Sequence, residues 1–271
     1  MLKILITGSN SGFGKLAALS LARLGHQVVA SMRDLAKGDE LRQVAAQEGL
    51  AIELCQLDVN DLASVEAALV DPLAFDVLIN NAGFEVEAAI EQVSDELMWQ
   101  QLDTNVLGPL RTMRAVLPAW KDRGSGVVVN VSSIAGRVGV PYTGAYSASK
   151  FALEALSESL KLEVGQLGIR VHLIEPGRFA TDFGENKIRP DSWEGSPQQH
   201  RALAFREASH GMGGTGTPPD PQEVADVIVR AATDPSAPFR MLVGDDALMI
   251  DELKSSMSFE EFEATIRTAL N

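Results

Sequence analysis

The sequence predicts an α/β fold in which a doubly wound parallel sheet carries helices on both faces. Short apolar runs alternate with helical segments along most of the chain, and a glycine-rich turn joins the first run to the first helix. The 271 residues fit one large domain or two small ones, and no linker divides them. We therefore expect a single domain of three layers, with the sheet between two layers of helices.

The strands are predicted from short apolar runs that end at turn residues. They cover 2–7, 27–31, 51–57, 76–79, 126–131, 169–174 and a segment near 239–243. Helices are predicted at 15–24, around 36–48, and at 62–69, 95–121, 144–165 and 222–232, with further helices to the end. Pro109 and Pro118 lie inside the long helical region, and proline lacks the amide donor that a helix needs. We expect a bend or break there.

One segment, 177–221, departs from this alternation and is called the lid segment below. It is rich in Gly, Pro and Ser, with scattered apolar residues: Phe179, Phe183, Trp193, Phe205 and Met212. An insertion of this length in a compact domain is either disordered or functional. We interpret it as a lid over a substrate site.

The composition limits the classes of function. The net charge is −14, from 37 acidic and 23 basic residues, whereas a nucleic-acid partner requires a basic surface. A single cysteine, Cys55, excludes an intrachain disulfide, and the four histidines lack the spacing of metal ligands, so no metal is expected. No apolar run approaches the roughly 20 residues of a membrane span. Residues 1–6 are typical of a first strand and not of a signal peptide, and we expect a cytoplasmic protein.

The glycine-rich turn has the pattern Thr7-Gly8-x-x-x-Gly12-x-Gly14. It follows a strand and opens a helix, so its main-chain N–H groups and the helix N-terminus can face the pyrophosphate of a dinucleotide. An ATP-binding P-loop is excluded, because Gly8 lies one residue too far back and Leu16 replaces the required hydroxyl.

A tyrosine and a lysine four residues apart, Tyr146 and Lys150, share one face of a predicted helix. An unperturbed tyrosine has a pKa of about 10, too high for a good base near neutral pH. A nearby cation favours the phenolate, so we expect Lys150 to lower the pKa of Tyr146. Tyr146 would then be a usable proton donor and acceptor.

Together with other motifs in the same order, these residues resemble the short-chain dehydrogenase/reductase family over at least residues 2–181. The further matches are Asn80-Asn81-Ala82-Gly83, Asn105, Ser133 and the turn Pro176-Gly177. Ser133 lies thirteen residues before Tyr146, which selects it over Ser132. The length and the first-motif spacing resemble the shorter branch of the family, and not the extended branch of sugar epimerases. The resemblance implies a Rossmann fold.

The resemblance also implies a chemistry in which nicotinamide carries a hydride and the protein moves a proton in step. Tyr146 would be the general acid and base, and Ser133 would donate a hydrogen bond to the same substrate oxygen. Lys150 would hold Tyr146 acidic and bind the nicotinamide ribose. Asn105 would hold a water molecule that relays protons to Lys150.

The cofactor is expected to be NADP(H) and not NAD(H). Met32 stands where NAD-preferring relatives carry an acidic residue, and Arg33 is placed to bind a 2′-phosphate. Pairing of Arg33 with Asp34 is the alternative, and so is NAD, since Ser11 stands where many NADP-preferring relatives carry a basic residue. The resemblance implies these cofactor-binding residues: Gly8, Ser11, Gly12, Phe13, Gly14, Arg33, Asp58, Val59, Asn81, Ala82, Gly83, Tyr146, Lys150, Pro176, Gly177 and Thr181.

The substrate pocket is expected above the carboxyl ends of the strands. Its candidates are largely apolar: Phe84, Val86, Val138, Val140, Tyr142 and the lid segment from Phe179 to Met212. The cations that sequence cannot place are Arg137, Arg178 and Arg189. We expect a hydrophobic ketone or secondary alcohol as substrate.

Two other functions remain open: a dinucleotide sensor without turnover, and an isomerase or dehydratase that uses the same tyrosine. The full set of proton-handling residues favours the oxidoreductase over the sensor, and the motif spacing favours it over the isomerase. A homodimer or homotetramer is expected by resemblance. Three leucines on the helix that carries Tyr146 could face a partner or the core: Leu153, Leu156 and Leu160.

Overall fold

A seven-stranded sheet of parallel strands forms the centre of the computed structural model, which describes residues 1–184, 186–210 and 219–268. The strands are β1 (Lys3–Thr7), β2 (Gln27–Met32), β3 (Ile52–Gln56), β4 (Val77–Asn80), β5 (Gly126–Val131), β6 (Ile169–Pro176) and β7 (Arg240–Val243). Their order is β3-β2-β1-β4-β5-β6-β7, and every neighbouring pair is parallel. The chain therefore moves outward from β1 in one direction and then returns to β4 on its other side. Ligand crevices form at such a reversal of strand order.

Ten helices connect these strands or follow them in the part of the chain that is described. They are α1 (Gly12–Arg23), α2 (Asp39–Glu48), α3 (Leu62–Ala68), α4 (Asp95–Leu102), α5 (Gly108–Arg123), α6 (Gly144–Val164), α7 (Pro197–His210), α8 (Gln222–Thr233), α9 (Asp245–Ser256) and α10 (Phe259–Thr268). Across these ranges, no helix combines the length and the apolar character that crossing a membrane requires.

Side chains of alternate strand residues separate into two apolar cores, one on each face of the sheet. On β1, Ile4 and Ile6 pack with the buried residues of α1 and α8. Leu5 points the other way, into a core that includes Met113 and Trp120 of α5 and residues of α6. Both faces of the sheet are thus covered, as a parallel sheet requires, and the predicted three-layer fold is confirmed.

The long helical region contains a π-helical turn, and neither proline ends a helix. Helix α4 ends at Leu102, a π-helical turn spans Asp103–Leu107, and α5 begins at Gly108. Pro109 lies in the first turn of α5, directly after the π turn. Pro118 lies inside α5 without ending it. The helix thus departs from regular α-helical geometry at the π turn, but the backbone stays helical through it and no break is present.

The described part of the lid segment contains more regular structure than the sequence indicated. A short 3-10 turn covers Asp182–Gly184, and α7 covers fourteen residues that the sequence analysis did not identify as helical. Ile188 also forms an isolated parallel bridge with Val86, which connects the lid segment to the loop after β4. Met212, a predicted pocket residue, lies outside the described residues.

Candidate active site

A cleft of about 1610 Å³ lies at the carboxyl ends of the central strands. Most predicted site residues line it: Gly8, Ser11, Gly12, Phe13, Arg33, Asp58, Val59, Asn81, Ala82, Gly83, Phe84, Ser133, Val138, Val140, Tyr142, Tyr146, Lys150, Pro176, Gly177, Phe179 and Thr181. Three predicted residues do not line it: Gly14, Val86 and Asn105. The cleft thus joins the glycine turn to the Tyr146 region in one continuous space.

The glycine turn is held against the loop after β4. Gly8 has φ +69°, and a Cβ there would lie 2.8 Å from the Cα of Ala82. The Asn81 side chain donates hydrogen bonds to the carbonyls of Thr7 and Gly8, at 3.0 and 2.9 Å. A Cβ on Gly14 would lie 2.5 Å from that same amide nitrogen. Gly14 therefore permits the close approach of the two loops, although it does not face the cleft.

Helix α1 begins at Gly12, three residues earlier than predicted, so two of the motif glycines belong to its first turn. Ser11 is its N-cap, but the serine side chain makes no capping hydrogen bond. The first amide groups of a helix have no partner within it, and they attract an anion. Thr181 from the lid segment lies 3.7 Å from where a Gly12 Cβ would stand, and Phe13 meets Phe179 edge-on. This end of the cleft can hold a phosphate group under the lid segment.

Two basic side chains border the cleft just after β2. Arg33 is exposed, and within the described ranges it forms no ion pair. The Asp34 carboxylate instead accepts a hydrogen bond of 3.0 Å from the main-chain nitrogen of Ala36. Lys37, which the sequence analysis missed, lies on the following 3-10 turn and also lines the cleft. Its position four residues after Arg33 was the feature of the sequence that could have identified it as a second basic residue of this site.

Asp58 and Val59, in the turn after β3, form another part of the cleft wall. The Asp58 carboxylate accepts a hydrogen bond of 3.0 Å from the main-chain nitrogen of Asn60, which fixes the turn. Val59 is buried, and its carbonyl accepts a hydrogen bond from Arg111. Contact of these two residues with adenine stays a prediction.

Ser133, Tyr146 and Lys150 meet at the inner end of the cleft. Tyr146 and Lys150 are 8% and 5% exposed. The Lys150 ammonium donates a 2.8 Å hydrogen bond to the carbonyl of Val131 and lies 5.6 Å from the centre of the Tyr146 ring. The Ser133 hydroxyl interacts with that of Tyr146, and it also accepts a hydrogen bond of 3.1 Å from the nitrogen of Ala135. The three side chains predicted from the sequence are therefore close together.

The proton affinities in this cluster differ from the sequence-based expectation. Burial raises the pKa of Tyr146, the charge of Glu85 raises it further, and the hydrogen bond with Ser133 lowers it. Burial also lowers the pKa of Lys150 to about 8, while the nearby Glu154 acts in the opposite direction. The expected lowering of the Tyr146 pKa is thus wrong for this geometry, because loss of solvation raises the pKa and Lys150 is not among the groups that shift it.

Asn105 lies in the π turn behind the cleft and is 1% exposed. Its carbonyl oxygen accepts from the main-chain nitrogen of Phe84, at 3.2 Å. Its amide nitrogen donates to the carbonyl of Phe84 and to the hydroxyl of Ser149, at 3.0 and 3.1 Å. These contacts brace the loop after β4 against α6. The water relay assigned to Asn105 by resemblance stays a prediction.

Successive side chains of the loop after β4 point in opposite directions, as they do in a strand. One predicted pocket residue is therefore wrong. Val86 is fully buried and packs with Ala88 and Ala145, away from the cleft. Its neighbours Glu85 and Glu87 line the cleft instead. Sequence reasoning selected the apolar member of this triplet and missed the two carboxylates.

Two of the three arginines that the sequence could not place form ion pairs with carboxylates. Arg137 pairs with Asp251, at 2.5 Å, and does not line the cleft. Arg189 pairs with Glu87, at 2.7 Å. Arg178 lines the cleft, and the charges of Asp246 and Glu85 act on it. Neither Arg137 nor Arg189 is therefore available to bind an anionic substrate.

The two C-terminal helices supply a wall that the sequence analysis did not assign to the site. Their apolar side chains line the cleft: Met249, Ile250, Leu253, Phe262 and Ile266. Phe262 packs with Ile134 and Val138 in a separate apolar cluster. The apolar spacing of three and four residues in 250–266 was the signal that could have found them.

Comparison with known proteins agrees with this geometry. A family model described as short chain dehydrogenase matches residues 3–192. The chain is 40% identical to a 3-ketodihydrosphingosine reductase of Bacteroides thetaiotaomicron, over 68% of this chain and 66% of that protein. It is 37% identical to retinol dehydrogenase 8 of Bos taurus, over 88% and 80%.

A solved structure of a short-chain dehydrogenase from Streptomyces avermitilis is 33% identical, covers 99% of both chains and has a TM-score of 0.82. The family model covers the glycine turn, the loop after β4 and the Ser133–Tyr146–Lys150 cluster together. With these motifs in place on a parallel sheet of this order, the chain belongs to the short-chain dehydrogenase family of oxidoreductases.

Proposed function

We propose that this protein is an NADP(H)-dependent oxidoreductase that interconverts a hydrophobic ketone or aldehyde and its alcohol. One observation carries the proposal: half-buried Ser133 and the buried side chains of Tyr146 and Lys150 meet at the inner end of a cleft that begins at the glycine turn. Reduction of a carbonyl needs a group that gives the oxygen a proton and a second group that donates a hydrogen bond to it. It also needs a nearby group, such as an ammonium, that can restore the proton.

When bound, the nicotinamide would supply or accept the hydride. In reduction, Tyr146 gives its proton to the carbonyl oxygen, and its raised pKa keeps the phenol protonated near neutral pH. Ser133 donates a hydrogen bond to the same oxygen as charge develops there. Lys150, with a pKa of about 8, can return a proton to Tyr146 at ordinary pH. Oxidation of an alcohol runs through the same groups in reverse.

The preference for NADP(H) rests on the basic pair at the end of β2. Arg33 and Lys37 both border the cleft, and Asp34 does not neutralise Arg33, because its carboxylate caps the next turn. A guanidinium and an ammonium there suit a 2′-phosphate, whereas an NAD site would place an acceptor for the ribose hydroxyl. An NAD-preferring alcohol dehydrogenase is the alternative.

A hydrophobic substrate is supported by the wall that α9 and α10 provide. The apolar side chains of these helices face the cleft beside Val138, and the lid segment adds Phe183, which contacts the Tyr146 ring at 5.8 Å. The names of the two relatives above denote a ketone and an alcohol substrate. We propose that the lid segment excludes water from such a substrate.

A homodimer or homotetramer is proposed from the exposed apolar residues of adjacent helices. Phe151 on α6 is 45% exposed, and Trp99 on α4 is 66% exposed. Leu153 and Leu160 are core residues, so they cannot form such an interface. Replacing Phe151 with aspartate should shift the oligomeric state in sedimentation measurements, and an unchanged mass would count against this face.

The function is tested by turnover of a ketone panel with NADPH and with NADH. Alkyl ketones of increasing chain length and anionic keto acids of matched size would be compared. We expect the alkyl ketones to react faster, with kcat/KM rising with chain length and with NADPH exceeding NADH. Faster turnover of the keto acids would overturn the substrate assignment, and absence of turnover across the panel would overturn the activity itself.

A further inference from the structure

Glu85 is a buried carboxylate that lines the same cleft as Tyr146. Its position is fixed by the main chain, because its carbonyl accepts a 2.9 Å hydrogen bond from the nitrogen of Ile188 in the lid segment. Val86 points into the core, so the alternation of the loop directs Glu85 to the cleft. Tyr146 lines the same cleft, and the charge of Glu85 acts on its phenol.

The carboxylate of Glu85 has unused capacity to accept hydrogen bonds. Glu85 is 7% exposed, and the Lys187 ammonium lies 2.9 Å from its Oε1. That contact has the distance of an ion pair but not the angles of a hydrogen bond, and no other donor reaches Oε1 in the described part of the chain. Buried carboxylate oxygens normally accept at least one hydrogen bond, so this group requires an explanation.

The neighbouring Glu87 shows what a structural carboxylate in this loop looks like. Lys187, Arg189 and Arg206 all pair with it, and its side chain is 4% exposed. These partners come from the lid segment, so Glu87 joins that segment to the loop after β4. Lys187 is shared between the two carboxylates, which leaves Glu85 the less compensated of the two.

We propose that Glu85 determines specificity by accepting a hydrogen bond from a donor group, a protonated amine or a hydroxyl, beside the reacting carbon of the substrate. This rests on the proposed function, and it refines the substrate class from a hydrophobic ketone to an amphipathic one. The donor end would lie between Glu85 and Tyr146, and the apolar remainder would extend toward the side chains of α9 and α10. A plain ketone would add no hydrogen-bond donor to this buried carboxylate, which would keep its ion pair with Lys187.

The test uses three ketones of equal chain length: a 2-alkanone, the 1-hydroxy-2-alkanone and the 1-amino-2-alkanone. With NADPH, we expect kcat/KM to be about tenfold or more higher for at least one donor-bearing ketone than for the plain one. In Glu85→Gln that ratio should fall toward one, because the amide accepts more weakly and carries no charge. A loss confined to the amino ketone identifies an ammonium partner, and a loss for both identifies hydrogen bonding.

An effect of Glu85 on the acidity of Tyr146 would change kcat/KM for all three ketones alike. The ratio of kcat/KM between two ketones therefore reports substrate recognition alone. Glu91→Gln is the matched control, since Glu91 is exposed, lies on the same stretch of chain and does not line the cleft. It should leave the ratios unchanged. Equal kcat/KM for all three ketones in the wild type, or ratios that Glu85→Gln does not alter, would overturn the proposal.

Equilibrium binding separates this inference from the proposed function. The corresponding 2-alkanol and 1-amino-2-alkanol would be titrated by calorimetry into the protein with NADP⁺ present. Tighter binding of the amino alcohol that is lost in Glu85→Gln would support recognition even if no ketone were reduced. Equal affinities would contradict recognition even in a protein that reduces ketones.

Discussion

The ammonium of Lys150 donates a 2.8 Å hydrogen bond to the main-chain carbonyl of Val131, the last residue of β5. This bond anchors helix α6 to the edge of the sheet where the cleft opens. It also explains why the lysine does not dominate the acidity of Tyr146, since the ammonium is directed at the carbonyl and lies 5.6 Å from the ring centre.

The pH dependence of ketone reduction should follow the proton on Lys150. Its pKa is lowered to about 8, so the ammonium that returns a proton to Tyr146 is lost as pH rises through that value. We predict that kcat/KM for reduction falls progressively above about pH 8. The measurement is a profile from pH 6 to 10 with NADPH, and a rate that stays flat to pH 10 would contradict this assignment.

The cofactor preference should depend on Arg33. Replacing Arg33 with alanine removes a charged donor for the 2′-phosphate, and such a bond contributes about 1.5–3 kcal/mol. We predict that kcat/KM falls about tenfold or more for NADPH and changes little for NADH. Arg42→Ala is the control, because Arg42 is exposed, pairs with Asp39 and does not line the cleft. Equal losses with both cofactors would count against a phosphate contact.

Glu87 should hold the lid segment in place. In Glu87→Gln the three cations lose their shared negative partner, and we expect a loss of about 1–3 kcal/mol in the free energy of unfolding. Proteolytic cleavage within 186–210 should become faster, and KM for the ketone should rise. Affinity for NADPH, measured by fluorescence titration, should be retained. Unchanged proteolysis in this variant would show that the ion cluster does not anchor the segment.

Glu175 should make the protein less stable as pH rises. It is fully buried on β6, where Arg240 and Arg137 lie 3.3 and 3.7 Å from its Oε1, but neither carboxylate oxygen accepts a hydrogen bond in the described ranges. Burial and the adjacent Glu154 raise its pKa to about 8, above the ordinary value of 4.5. The folded protein therefore keeps a proton that the unfolded chain releases, so this contribution is complete below about pH 4.5 and is lost as pH approaches 8.

Replacing Glu175 with glutamine removes that titration. We predict that the free energy of unfolding, from urea titrations at pH 5 and pH 8, falls less with pH in the variant than in the wild type. Glu158→Gln is the control, because Glu158 also pairs with Arg240 but its side chain is 59% exposed. Identical pH dependence in the wild type and in Glu175→Gln would contradict the raised pKa.

The fold was predictable because its signals are local and repeated. Short apolar runs such as 126–131 on β5 are typical of strands buried on both faces, and the glycine turn marks the connection from the first strand to the first helix. The helix start at Gly12 was missed because glycine usually argues against a helix. Here the first turn of α1 borders the cleft, and its glycines leave room for a ligand to come close to the main chain.

The polar chemistry of the cleft was harder to predict, because it depends on pairs that are distant in sequence. Glu85 meets Lys187 only when the lid segment folds over the loop after β4. The direction of the Tyr146 pKa depends on burial, which a spacing of four residues does not report. Val86 was selected for its apolar character, although the alternation of the loop turns it into the core.

The most direct test of the account is Tyr146→Phe, which removes one hydroxyl from a buried ring and leaves the ring contact with Phe183 available. We predict that reduction of an alkyl ketone falls by at least about 10²-fold, while affinity for NADPH and the free energy of unfolding change little. Ketone reduction at the wild-type rate by a folded Tyr146→Phe variant would contradict the account.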